Sequence, residues 1–114
     1  MLKLAQQRDR LSVVADQFGA PTPARLIANV TALALQQART SAENKSGLYH
    51  LAAAGVTSWY QFAEAILVLA TQAKLPLQLH HDNFKPITSA EYPTPARRPA
   101  NSRLSLSKIE QQFG

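Results

Sequence analysis

Residues 58–76 constrain the fold more than any other stretch. Ser58 followed by Gln61 matches a capping box, in which the serine side chain and the glutamine side chain each satisfy an unpaired amide at a helix start. Trp59, Phe62, Ala63, Ile66, Leu67, Ala70 and Ala73 then recur at helical spacing. The pattern predicts one strongly apolar helix face running to about Lys74, with Pro76 as the stop. Such a helix needs a partner surface, and the runs around it supply candidates.

Leu2 to Gln7 reads as the end of a helix. Leu11 to Ala15 is β-rich and reads as a strand. Asp16 to Pro21 forms a loop, with Gly19 free to take a positive φ. Thr22-Pro23 reads as a second helix start, the threonine capping and the proline losing nothing at the first helical position. Leu26, Ile27, Val30, Leu33 and Ala34 carry that helix to about Arg39, and Thr40 to Ser46 reads as a polar loop. Gly47 to Ala52 and Leu77 to His81 read as further strands, and Lys85 to Ala90 as extended chain. Pro93, Pro95 and Pro99 argue for a fixed, extended loop from Tyr92 to Pro99. Ser105 or Ser107 then caps a final helix, Leu106 to Phe113. Strands alternating with helices predict an α/β fold in one domain, residues 1–114.

Composition narrows the function classes. An apolar fraction of 46% is ordinary for a globular chain. With no cysteine, disulfide and thiolate-metal chemistry are excluded. No apolar run approaches the length of a membrane span, and Met1 to Arg10 has no apolar signal core, so a cytoplasmic location is expected. The net charge is +5, and five of the twelve basic residues, Lys85, Arg97, Arg98, Arg103 and Lys108, lie in the last third, against the acids Asp82, Glu91 and Glu110. That suits a diphosphate as well as a nucleic acid. The basic stretch lacks interleaved aromatics and a helix-turn-helix pattern, which argues against nucleic acid.

Several catalytic patterns are missing. Gly19, Gly47, Gly55 and Gly114 are too far apart for a dinucleotide turn. Tyr49, Tyr60 and Tyr92 are followed four residues later by Ala53, Glu64 and Ala96, so none forms a tyrosine–lysine pair for proton transfer. His80 and His81 are adjacent, and on an extended segment they would point apart rather than share a metal ion. No catalytic residue and no metal site are expected within the chain. Trp59, at the start of its helix and on its apolar face, is expected in a core or staple role rather than stacking on a base.

Two segments carry more specific information. Asp16-Gln17-Phe18-Gly19-Ala20-Pro21-Thr22 puts small residues before a helix start, where a ligand can approach the backbone. Arg97-Arg98-Pro99-Ala100-Asn101-Ser102-Arg103 offers planar guanidinium forks for a diphosphate on a loop stiffened by Pro99. Asn101 and Ser102 could bond a ligand or cap the loop itself, and Arg103 could instead make a structural ion pair.

Together these segments resemble landmarks of the C-terminal half of the dTDP-4-dehydrorhamnose reductases, members of the extended short-chain dehydrogenase/reductase superfamily. Gly47-Leu48-Tyr49-His50-Leu51, Ser58-Trp59 with Phe62-Ala63, and Tyr92 to Pro99 add to the resemblance in the same order. It implies the substrate-binding part of a Rossmann-type reductase, silent by itself. The whole enzyme would reduce dTDP-4-dehydro-L-rhamnose with NADPH in bacterial polysaccharide synthesis. NADPH belongs to the parent protein, and this chain is expected to bind no cofactor. The implied ligand is a dTDP-sugar, with Gln17, Phe18, Gly19, Ala20, Arg98, Asn101 and Arg103 as substrate-binding residues. The implied partner is an N-terminal Rossmann half, which would make Met1 an internal or artificial start. Severed from that half, the chain is expected to expose an apolar patch and self-associate. The regulatory subunit of methionine adenosyltransferase shares this fold, so a non-enzymatic module that binds an anion or a partner is the alternative. In the resemblance a magnesium-binding acid falls where this chain has Arg25, a cation, so magnesium is not expected.

Overall fold

The computed structural model describes residues 1–96 and 98–114. The chain divides into two compact units, one comprising residues 1–19 and 56–102, the other residues 20–55 and 103–114. No helix among the described residues is long and apolar enough to cross a membrane.

The first unit contains α1 (Leu2–Ala5), β1 (Leu11–Val14), β2 (Phe18–Gly19), β3 (Thr57–Ser58), α3 (Trp59–Gln72) and β4 (Phe84–Ile87). Strands β1 and β4 pair in parallel, Leu11 opposite Phe84 and Val14 opposite Ile87. Parallel strands need a long crossover, and here the intervening chain includes α3, which packs on β1. Pro86 sits within β4, where it can donate no ladder bond. This is tolerated because β4 has one partner strand among the described residues. Ala5, Leu11, Ala63 and Phe84 form a buried core, with Val13, Tyr60, Leu67, Leu77 and Leu79 packed against it. The Tyr60 and Phe84 rings stack with centroids 4.7 Å apart.

Both ends of α3 are chemically defined. Ser58 Oγ accepts from the Gln61 amide and Gln61 Oε1 accepts from the Ser58 amide, each at 3.1 Å, as the sequence predicts. At the other end the helix stops at Gln72. Lys74 adopts φ 55°, while its amide donates to Thr71 O and the Leu75 amide to Ala70 O. This is a Schellman closure with lysine where glycine is usual.

The second unit contains α2 (Ala24–Thr40), the irregular segment 41–55 that follows it, and α4 (Ser107–Phe113). Lys45 Nζ donates to Gln112 O at 2.9 Å and Gln37 Nε2 to Phe113 O at 3.0 Å, so two of the last carbonyls of α4 are capped by side chains. Lys108 Nζ donates to Leu48 O and lies 4.7 Å from the Tyr49 ring centroid, and Tyr49 meets Phe113 edge-on at 5.2 Å.

Several local expectations are corrected. Residues 47–52 form no strand, because no strand among the described residues pairs with them; Tyr49 and Leu51 instead line a cavity of about 580 Å³ within the second unit. Residues 77–81 form no strand either; the Gln78 and Leu79 amides both donate to Ala5 O, at the last residue of α1. His81 to Asn83 forms a single 3-10 turn, so His81 and Asp82 are not on an extended segment. Thr22 does not cap α2. Its hydroxyl donates to Ala20 O and accepts from the Ala53 amide, leaving Pro23 as the N-terminal residue without a side-chain cap. Neither Ser105 nor Ser107 caps α4, whose N-terminal flank is Leu106.

Candidate functional site

The two segments singled out in the sequence meet within the first unit, although more than 80 positions separate Phe18 from Ser102. The Phe18 amide donates to Ala100 O at 2.8 Å, and the Ser102 amide donates back to Phe18 O at 2.9 Å. These bonds form a parallel bridge between Phe18 and Asn101. Ser102 Oγ adds a third bond to Phe18 O at 3.0 Å. On its other side Phe18 pairs with Ser58 in the short β2–β3 ladder. The loop after β1 is thus held between the start of α3 and the Arg98-Pro99 loop.

Gly19 is required here for space, not for φ, and this corrects the expected positive φ. Its backbone lies outside the left-handed region, which among glycines holds Gly55 and Gly114. A Cβ at position 19 would meet Ser102 Oγ at 3.0 Å, the same hydroxyl that bonds Phe18.

Beside this junction lies an open cleft of about 810 Å³, in the range of small-molecule sites. Gln17, Arg98, Pro99 and Ser102 line it from the two loops, and Trp59 and Phe62 from α3. Tyr92 and Thr94 also reach it. The arrangement combines aromatic surface, a permanent cation and amide or hydroxyl groups, a set suited to a ligand with a ring and an anionic part.

The acidic side of the first loop is tied down. Asp16 accepts from the Ser89 amide with both carboxylate oxygens at 3.0 Å and from Ser89 Oγ at 2.7 Å. These bonds, the backbone one foremost, hold the Asp16 carboxyl below the usual range. Gln17 Nε2 donates to the same Ser89 Oγ at 2.9 Å. Next to it, Glu91 accepts from the Thr88 amide and hydroxyl, and those bonds lower its carboxyl in the same way.

Of the residues expected to bind substrate, Gln17 and Arg98 line the cleft, while Phe18 and Asn101 form the bridge and Gly19 packs under Ser102. Ala20 and Arg103 fall in the second unit. Arg97 lies outside the described residues. Trp59 corrects the core expectation: it is 55% exposed and lines the cleft. Its position one residue after the helix cap is the signal that could have placed it at a rim. Ser89 carried no sequence signal, because its role depends on contacts with residues over 70 positions away.

Comparison with known proteins identifies a family for the whole chain. The family described as RmlD substrate binding domain matches residues 1–114, the whole chain. The chain belongs to that family. It is 49% identical over 113 residues to the dTDP-4-dehydrorhamnose reductase of Escherichia coli K12, covering 99% of this chain and 37% of that protein. The chain thus spans little more than a third of the length of this relative. Among solved structures, a dTDP-4-dehydrorhamnose reductase from Clostridium acetobutylicum superposes with a TM-score of 0.80 at 30% identity, over 98% of this chain and 35% of that one. The Bacillus anthracis reductase, solved in complex with NADP, gives a TM-score of 0.69 at 28% identity, over 96% and 34%. The RmlD substrate-binding fold is therefore α/β, of the kind found in NAD(P)-binding extended short-chain reductases.

Arg25 occupies the first turn of α2, which carries no acidic residue, so this position does not fit a magnesium ligand. The chain has neither a glycine-rich strand-to-helix turn nor a tyrosine–lysine pair of the kind a short-chain reductase uses.

Proposed function

We propose that this chain is the sugar-nucleotide-binding part of an NADPH-dependent dTDP-4-dehydrorhamnose reductase, and that its cleft holds the dTDP-sugar. The single observation that carries the reading is the hydrogen-bonded junction of the loop 16–19 with the loop 98–102 on the cleft. Arg98 brings a cation to the cleft for the diphosphate, and Pro99 limits the ordering cost of its loop. Gln17 meets the ligand through its amide. Phe18, Gly19 and Asn101 serve chiefly by fixing the loop backbones. Ala20 and Arg103 receive ligand roles from the resemblance alone.

The chemistry belongs to the rest of such a reductase, where NADPH would supply hydride to the 4-keto group of dTDP-4-dehydro-L-rhamnose. By itself this chain orients substrate and is silent. The reading places the protein in the bacterial cytoplasm, in polysaccharide biosynthesis. It also expects the exposed apolar residues of α1, Leu2 and Leu4, to favour self-association, visible by sedimentation at high concentration.

Calorimetric titration of the chain with dTDP-rhamnose tests the reading. Binding is expected at millimolar affinity or tighter, and Arg98→Ala should weaken it about 10- to 100-fold, the value of a hydrogen bond to a charged group. Salt-sensitive binding of random-sequence DNA with no response to dTDP-rhamnose would overturn it.

A further inference from the structure

Ser89 Oγ has one proton and two neighbours that could take it. Asp16, as a carboxylate, can only accept. It lies 2.7 Å from the hydroxyl and receives that proton, while the Ser89 amide bonds both of its oxygens. Toward Gln17, 2.9 Å away, the hydroxyl is left with lone pairs alone. Gln17 must therefore present Nε2 to Ser89. A flipped amide would set two oxygens against each other with no proton between them. The polarity of Gln17 is thus dictated by Asp16 through Ser89. Its Oε1 bonds no described residue, and the side chain lines the cleft.

We propose that Ser89, backed by Asp16, is a positioning residue that locks the Gln17 carboxamide so that Oε1 accepts a hydrogen bond from a donor on the bound sugar nucleotide. This rests on the function proposed above and specifies which part of the ligand Gln17 meets. At neutral pH a diphosphate offers acceptors only, so the donor is a sugar hydroxyl or an N–H of the pyrimidine base. Both sources share one chemistry, a neutral donor facing a fixed acceptor. Glu91, the nearest other acid in this network, is engaged by Thr88 and takes no proton from Ser89.

The test has a ligand-free arm and a ligand arm. In the unliganded chain, NMR should show the two Gln17 side-chain amide protons well separated. Ser89→Ala should bring them toward free-glutamine positions, and Ser89→Thr should restore them. Unchanged signals in Ser89→Ala would overturn the positioning role. In the ligand arm, Ser89→Ala should weaken dTDP-rhamnose binding about tenfold, again restored by Ser89→Thr. If dTDP alone weakens equally, the donor lies on the nucleoside, as the base N–H or the deoxyribose hydroxyl; if dTDP is unaffected, a hydroxyl of the second sugar is the donor. Unaltered affinity for dTDP-rhamnose in Ser89→Ala would overturn the contact. Failure of the unmodified chain to bind either probe would instead sink the sugar-nucleotide reading and the ligand contact with it, while the amide signals still decide whether Ser89 positions Gln17.

Discussion

The two units of this small chain are built on different physics. The first buries Ala5, Leu11, Ala63, Ala70 and Phe84 almost completely. The second has no residue of comparable burial among those described: neither α2 nor α4 buries one, and Leu33 and Leu35 are about 60% exposed. What organises it is a set of side-chain bonds to carbonyls, from Gln37, Lys45 and Lys108, and two lysines over an aromatic pair. The difference teaches where a site can be held accurately. The cleft belongs to the unit with its own core, where the loops ride on β1, β4 and the capped start of α3. Apolar burial scales with area and persists in salt, whereas contacts to exposed cations are worth little each.

The sharpest way to break this contrast is truncation on each side. Phe84→Ala should cost about 3–5 kcal/mol, measured by urea unfolding, because it opens the core and removes the ring stacked on Tyr60. Phe113→Ala, in the half-buried pair with Tyr49, should cost about 1 kcal/mol. Equal costs would mean that the second unit has a core after all. A smaller effect bears on the same point: Lys108→Met should cost roughly 0.5–1 kcal/mol in low salt, and less in 1 M salt, as befits an exposed cation over a half-buried ring. A loss unchanged by salt would assign that lysine to packing.

The smallest expected effect is on pH. Native bonds from Ser89 depress the Asp16 pKa, so their contribution is present above the unfolded-state value and disappears as pH falls through the lower folded value. The Asp16–Ser89–Gln17 contact should therefore survive acidification past about pH 4. Carboxyl NMR titration checks this for Asp16 and for Glu91, which is lowered by Thr88 and opposed by the Asp16 charge. An Asp16 that titrates at or above the ordinary aspartate value would contradict the network.

Local signals were legible wherever the cause is local. The capping box at Ser58 and Gln61, the apolar face of α3, the strand at 11–14 and the extent of α2 all follow from residues within one or two turns. Strand identity for 47–52 and 77–81 was not legible, because a β-rich run becomes a strand only when a partner edge is available, and none among the described residues pairs with either. The expectation of extended chain at 85–90 holds for 85–87 and fails at Ser89–Glu91, which form a 3-10 turn; the parallel pairing with β1 depends on a crossover of some 70 residues. The site behaved alike. Its two motifs stand out in the sequence, and so do Gln17 and Arg98. The bridge that joins them, the exposure of Trp59 and the Ser89 relay exist only through tertiary contacts. Gly19 shows the limit well: the residue type was noticed, yet its reason is the nearness of Ser102, not a left-handed turn.

The central claim is that the loops 16–19 and 98–102 form one ligand-binding wall. The most direct measurement is a map of backbone amide shifts during titration with dTDP-rhamnose. The account predicts that the largest changes fall together on Gln17, Phe18, Asn101 and Ser102, with saturation at one common affinity. Shifts confined to the lining of the second unit's cavity, around Tyr49 and Phe113, would contradict it.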